Sequence, residues 1–146
     1  MQKNNTERLL ISAGVIAFAA ATWHLLCIWG GPSWYAFARA PQALIESAQQ
    51  GTYLAPVATI IVAGLIFTCG AYALSAASTI RKMPLTTAAL STIALICVAR
   101  ALIAVPLLIR STELDIWQLV ASSVWLYVGI CFLLGAKVYW QVYHRH

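Results

Sequence analysis

The chain has 146 residues, 62% of them hydrophobic and 9% charged, with a formal net charge of +5. Ordinary soluble domains run at about 45–50% apolar and about 25% charged, so a water-soluble fold of this length cannot hide the excess, and lipid is the expected solvent for most of the chain. The positive balance does not read as a nucleic-acid surface, because the basic residues stand at the ends of apolar runs rather than in one patch, and no nucleic-acid partner is expected.

The first apolar run, Leu9 to Trp29, follows Lys3 and Arg8. Its opening, from Lys3 through Phe18 to Ala19-Ala20-Ala21, also has the layout of a cleavable signal peptide. Hydrophobicity that continues through Trp23, Leu25, Leu26 and Ile28 favours a retained helix instead. Gly30-Gly31-Pro32 ends it sharply, and Trp34, Tyr35 and Phe37 are then placed to lie in a membrane interface. The stretch Pro41 to Gln50, PQALIESAQQ, predicts a short surface helix.

Three further runs follow: Tyr53 to Leu74, Leu85 to Ile109, and Ile116 to Val138. Each meets the roughly 20 apolar residues that a span requires. None has barrel-type alternation, and unpaired backbone groups are not tolerated in hydrocarbon, so each is predicted to be an α-helix. The expected fold is all-α: a polytopic membrane protein forming one domain, a four-transmembrane-helix bundle. Lys3, Arg8, Arg81, Lys82, Lys137 and Arg145 fall on one side and only Arg39 and Arg110 on the other, which puts both termini and the Ser75 to Pro84 connection in the cytoplasm. The Gly30 to Thr52 and Arg110 to Asp115 connections then face outward.

Small residues mark expected helix contacts: Ala13, Ala17 and Ala21 on the first helix, Gly64 on the second and Gly129 on the fourth. Cys27, Cys69, Cys97 and Cys131 fall one to each run, with no Cys-x-x-Cys pair. That pattern offers neither a disulfide framework nor a zinc site, and the four read as packing residues. The terminal His144-Arg145-His146 reads as a frayed tail rather than a metal site.

Polar groups recur at one depth in the outer half. His24 lies five residues before the end of its run, roughly 7 Å below the boundary, and Arg100 nine residues before Ile109, roughly 13 Å down. Thr59 on the second run and Ser122, Ser123 and Trp125 on the fourth share that band. A cation near mid-bilayer is expensive and is expected to face the bundle interior. Pro106 frees the Leu102 carbonyl on the outer side of Arg100. A cavity open to the outside is therefore expected, with the aromatic connection as its lid. Glu46 would pair with Arg39 or Arg100, and Tyr53 would donate from the rim. The plainer alternatives are that His24 is a satisfied packing residue, that Arg100 pins the bundle, and that Ser122 and Ser123 bond to their own helix.

The run His24-x-x-Cys27-Ile28-x-x-Gly31-Pro32-x-Trp34-Tyr35, with Ala40-Pro41 and Arg81-Lys82-x-Pro84-Leu85, resembles a group of small uncharacterised bacterial four-helix inner-membrane proteins. The resemblance spans nearly the whole chain, implies a bacterial cytoplasmic membrane, and carries no activity with it.

The leading expectation is a binding protein whose pocket takes an anionic or hydrogen-bond-accepting ligand, such as a lipid phosphate, a carboxylate or a quinone. Its lining would be His24, Arg100, Trp34, Tyr35, Glu46, Tyr53, Thr59, Ser122, Ser123 and Trp125. An accessory or scaffold subunit meeting a membrane-protein partner or a second copy is one alternative. A membrane enzyme with His24 as general acid or base is another, weakened because no carboxylate lies in any span. No cofactor is expected: paired-histidine haem ligation is disfavoured because His24 is the only histidine within the four runs. Small multidrug exporters share the size but use an intramembrane glutamate absent here.

Overall fold

The structure, a computed structural model, describes residues 2–110 and 116–143. It holds six helices: α1 (Gln2–Gly30), α2 (Pro32–Phe37), α3 (Gln42–Gln49), α4 (Leu54–Ala76), α5 (Thr86–Arg110) and α6 (Ile116–Tyr143). There is no strand among the described residues. The expected connection at 111–115 and the tail 144–146 lie outside the described residues. Among the described residues, three stretches are long and apolar enough to cross a membrane: Asn4–Gly30, Leu54–Ala76 and Leu119–Gln141. The helix α5 adds a shorter apolar stretch, Thr86–Leu102. It runs as one helix with Pro106 inside it.

The chain gathers into two compact units. One comprises residues 15–70: the second part of α1, the two short helices, and most of α4. Here Phe18 and Phe67 meet at 4.8 Å between ring centroids with a 57° tilt. Gly70 makes that approach possible, since a Cβ there would fall 2.9 Å from the Phe18 ring. The contact glycine of α4 is thus Gly70. Gly64, expected to be a notch, faces open space with nothing within 4 Å of a Cβ. Ala17 and Ala21 are buried as the four-residue spacing predicts.

The other unit comprises residues 1–14 and 71–146, in which α5 packs along α6. Leu90, Ala94, Cys97 and Ala101 form the buried stripe of α5, and Val128, Cys131, Phe132 and Ala136 that of α6. Recurrence every three or four residues puts each set on one helical face. Gly129 brings the two backbones close: a Cβ there would sit 3.1 Å from the side chains of Cys97 and Val98 and 3.3 Å from the Val98 amide. The start of α1 joins this unit through Leu10, which fills the space over Gly135. Ser12 adds a polar tie. Its hydroxyl donates to the Leu9 carbonyl at 2.8 Å, so the Tyr127 hydroxyl, also at 2.8 Å, is the donor to Ser12.

Helix ends are closed by the backbone itself. After α2, α3 and α4, the second residue beyond each helix has positive φ: Arg39 at 55°, Gly51 at 67° and Ser78 at 57°. In each case paired amides return to the last turn. For α4 these are Ser78 N–H to Ser75 O at 3.1 Å and Thr79 N–H to Leu74 O at 3.0 Å. Two of the three left-handed positions are occupied by residues that disfavour that conformation by about 1–2 kcal/mol.

The glycines give opposite expectations that unfolding in detergent will check. Gly129→Val should destabilise the protein by about 1–3 kcal/mol through overpacking against Cys97 and Val98. Gly64→Ala, with room for its methyl, should stabilise it by about 0.5–1 kcal/mol.

Candidate functional site

The turn after α1 organises the residues 15–70. Gly31 adopts φ 71°, ψ −158°, a region essentially restricted to glycine, and Pro32 starts α2 with φ already set for a helix. The reversal folds Trp34 back onto Gly30, where any Cβ would collide with the indole. Trp34 then stacks on Trp23 at 5.3 Å and 22°, and Phe37 meets the same Trp23 edge-on at 6.1 Å and 61°. Gly30-Gly31-Pro32 is the hinge that closes an aromatic triad.

Tyr35 departs from the expectation that it lies in the interface. It is 4% exposed and forms a core with Cys27 and Ala55, packed by Trp23, Leu44, Ile45 and Ala48. Its hydroxyl reaches Thr59 Oγ1 at 2.9 Å. Thr59 uses its single proton on the Ala55 carbonyl at 2.7 Å, so Tyr35 is the donor. The connection 30–52 is therefore a folded cover whose key aromatic points into the protein.

The cover is locked to α4 by Ser47, which is 4% exposed. Its hydroxyl accepts the Ala55 N–H at 2.9 Å, capping the first turn of α4 from another helix, and meets Thr52 Oγ1 at 2.7 Å. Sequence reading missed Ser47, Thr52 and Trp23. The local signal for the first two was a helical serine followed four residues later by Gly51, just before a new helix.

His24 is half-buried on the face of α1 that also carries Ala17, Ala21 and Cys27. Its Nδ1 lies 2.7 Å from the Ala20 carbonyl. A carbonyl only accepts, so Nδ1 carries the proton, and in the neutral ring Nε2 presents a lone pair. Glu46 is exposed and accepts from Gln42 Nε2 at 3.1 Å. Tyr53 is 83% exposed and Trp34 38%.

The remaining expected residues belong to the other unit. Ser122 is buried and Trp125 half-buried. Ser123 is exposed and donates to the Leu119 carbonyl at 2.9 Å, one turn back on its own helix. Arg100 was expected to face inward and is instead exposed. Its place on α5 explains this: Ser91, Thr92, Leu95, Ile96, Ala99 and Leu102 are also exposed, and Arg100 stands on their side, about a quarter turn from the buried stripe. Of the expected lining, the structure joins Tyr35 to Thr59 and brings Trp34 to Trp23. His24 and Arg100 fall in different units.

No family model, curated protein or solved structure matches this chain closely enough to support a comparison.

The hydroxyl locks are testable by detergent-phase unfolding. Ser47→Ala should cost about 1–2 kcal/mol by leaving the buried Ala55 amide without its acceptor. Tyr35→Phe should cost about 0.5–1.5 kcal/mol, one net hydrogen bond, because Thr59 keeps its bond to Ala55.

Proposed function

We propose that this chain is a polytopic protein of a bacterial inner membrane, crossed by α1, α4, α5 and α6 with both termini in the cytoplasm. It acts by binding an anionic or hydrogen-bond-accepting amphiphile at Arg100. Three apolar helices of spanning length support the membrane placement, and the distribution of basic residues supports the orientation.

The observation that carries the binding role is the exposure of Arg100 on a helix face otherwise made of aliphatic and small residues. Arg100 lies ten residues from the end of α5, roughly 15 Å along the axis. A guanidinium there costs from about 2.5 to more than 10 kcal/mol unless it finds acceptors. On this face the acceptors come from outside the chain. A lipid phosphate or a carboxylate suits the planar fork, which pairs with two oxygens at once, and a quinone carbonyl would take a single bond.

The same exposure favours one other reading, an accessory subunit in which Arg100 meets an acceptor on a partner helix. An enzymatic role gains little, because the Nδ1 of His24 is held by its own helix and no carboxylate is oriented onto it among the described hydrogen bonds.

Topology is checked with an impermeant maleimide on intact cells: Ser33→Cys should label from outside, and Thr79→Cys only after permeabilisation. Native mass spectrometry in mild detergent tests the site. A lipid- or quinone-mass adduct present in wild type should disappear in Arg100→Gln and partly survive in Arg100→Lys. Identical adducts in all proteins would defeat the ligand reading, and loss of a protein complex instead would establish the accessory one.

A further inference from the structure

A groove of about 630 Å³ lies between the α4–α5 connection, the start of α5 and the end of α6. Lys82, Thr86, Thr87 and Ser91 provide its polar lining, Met83, Leu85 and Ala88 an apolar wall, and Tyr139 and Trp140 close it from α6. The composition is that of an interface: one ammonium, three aliphatic hydroxyls, an apolar strip and a pair of amphipathic aromatics.

The backbone that carries Lys82 is fixed by the fold. Ser75, 2% exposed, accepts the Met83 N–H at 2.8 Å and donates to the Arg81 carbonyl at 3.2 Å, so the backbone on both sides of Lys82 is held by one buried hydroxyl. Thr86 Oγ1 donates to the Met83 carbonyl at 2.7 Å, and the Tyr72 hydroxyl reaches the Pro84 carbonyl at 3.4 Å. Four hydrogen bonds hold a nine-residue connection in place. Lys82 therefore stands on an ordered segment at the groove.

We propose that this groove binds the headgroup of an anionic phospholipid, its phosphate held by Lys82 with the hydroxyls of Thr87 and Ser91. Charge selects the occupant: the lining carries a cation and no carboxylate, and Arg81 adds a second positive charge beside it. The aliphatic strip Met83, Leu85 and Ala88 gives the glycerol and upper acyl carbons an apolar track, and Leu85, 80% exposed, is left to lipid. Tyr139 and Trp140 sit where aromatic side chains anchor at a headgroup layer. The inference rests on the membrane placement above but is independent of Arg100.

The test is native mass spectrometry of protein equilibrated in mixed micelles with equimolar phosphatidylglycerol and phosphatidylcholine of identical acyl chains. Wild type should favour the anionic lipid by about five-fold, the effect of one well-placed lysine. Lys82→Gln should abolish that preference, and Ser91→Ala should reduce it. Arg81→Gln removes the same charge from a residue outside the lining and should leave most of the preference. Should Lys82→Gln not fold, Ser91→Ala and Thr87→Val together decide the matter. Equal binding of both lipids by wild type overturns the proposal, as does equal loss in Arg81→Gln and Lys82→Gln, which would mean diffuse charge. Displacement of the lipid by millimolar glycerol 3-phosphate would assign the groove to a soluble phosphate and overturn the lipid. Running Arg100→Gln alongside keeps the two sites apart, since loss of its adduct must leave the phosphatidylglycerol preference intact.

Discussion

Helix ends are the constraint on which the rest of this structure depends. In apolar surroundings an unpaired amide or carbonyl costs several kcal/mol, so each reversal of the chain must satisfy its own backbone. Two buried serines do this in the same way. Ser47 near the end of α3 accepts the amide of Ala55, and Ser75 near the end of α4 accepts the amide of Met83, each eight residues further on. Left-handed residues complete both reversals. The connections thereby become parts of the fold with an ordered backbone. Without that rigidity neither the aromatic cover nor the groove at Lys82 would have a defined shape.

The two connections use this rigidity differently. Between α1 and α4, two short helices turn Tyr35 inward and stack Trp34 on Trp23. The result is a hydrophobic cover held by hydroxyl-to-hydroxyl and hydroxyl-to-amide bonds. Between α4 and α5 there is no helix, and the chain instead presents Lys82 beside the aromatics of α6. The first connection packs on its own aromatics, and the second borders a groove.

Arg100 shows how much rests on which side of a helix a residue takes. With Arg100 inward, the chain would satisfy its own cation and need nothing from outside. On the exposed face, next to Ile96 and Ala99, the same residue calls for an acceptor from lipid, ligand or partner. The packed face of α5 explains the choice, because there Cys97 and Val98 meet Gly129 at close range. A guanidinium has no room on that side.

The existence, type and approximate ends of the long helices were legible in the sequence, as were the short helix near Pro41 to Gln50 and the break at Gly30-Gly31-Pro32. These are local properties: apolar length, glycine freedom and the fixed φ of proline act over a few residues. The burial of Ala13, Ala17 and Ala21 followed from their spacing alone. The facing of each helix did not follow. A helix that is apolar on every side carries no pattern that fixes its rotation about its axis, so Arg100 could be assigned a depth but not a direction. For the same reason Gly64 was taken for the contact that Gly70 makes, and Tyr35 was placed in the interface although it lies in the core. Ser47 and Ser75 were invisible as caps because their partners lie in the next helix or at its approach. Sequence determined what could form a helix and where the chain must turn, and only tertiary packing, by choosing which side of each helix is covered, decided which polar groups are held and which are offered.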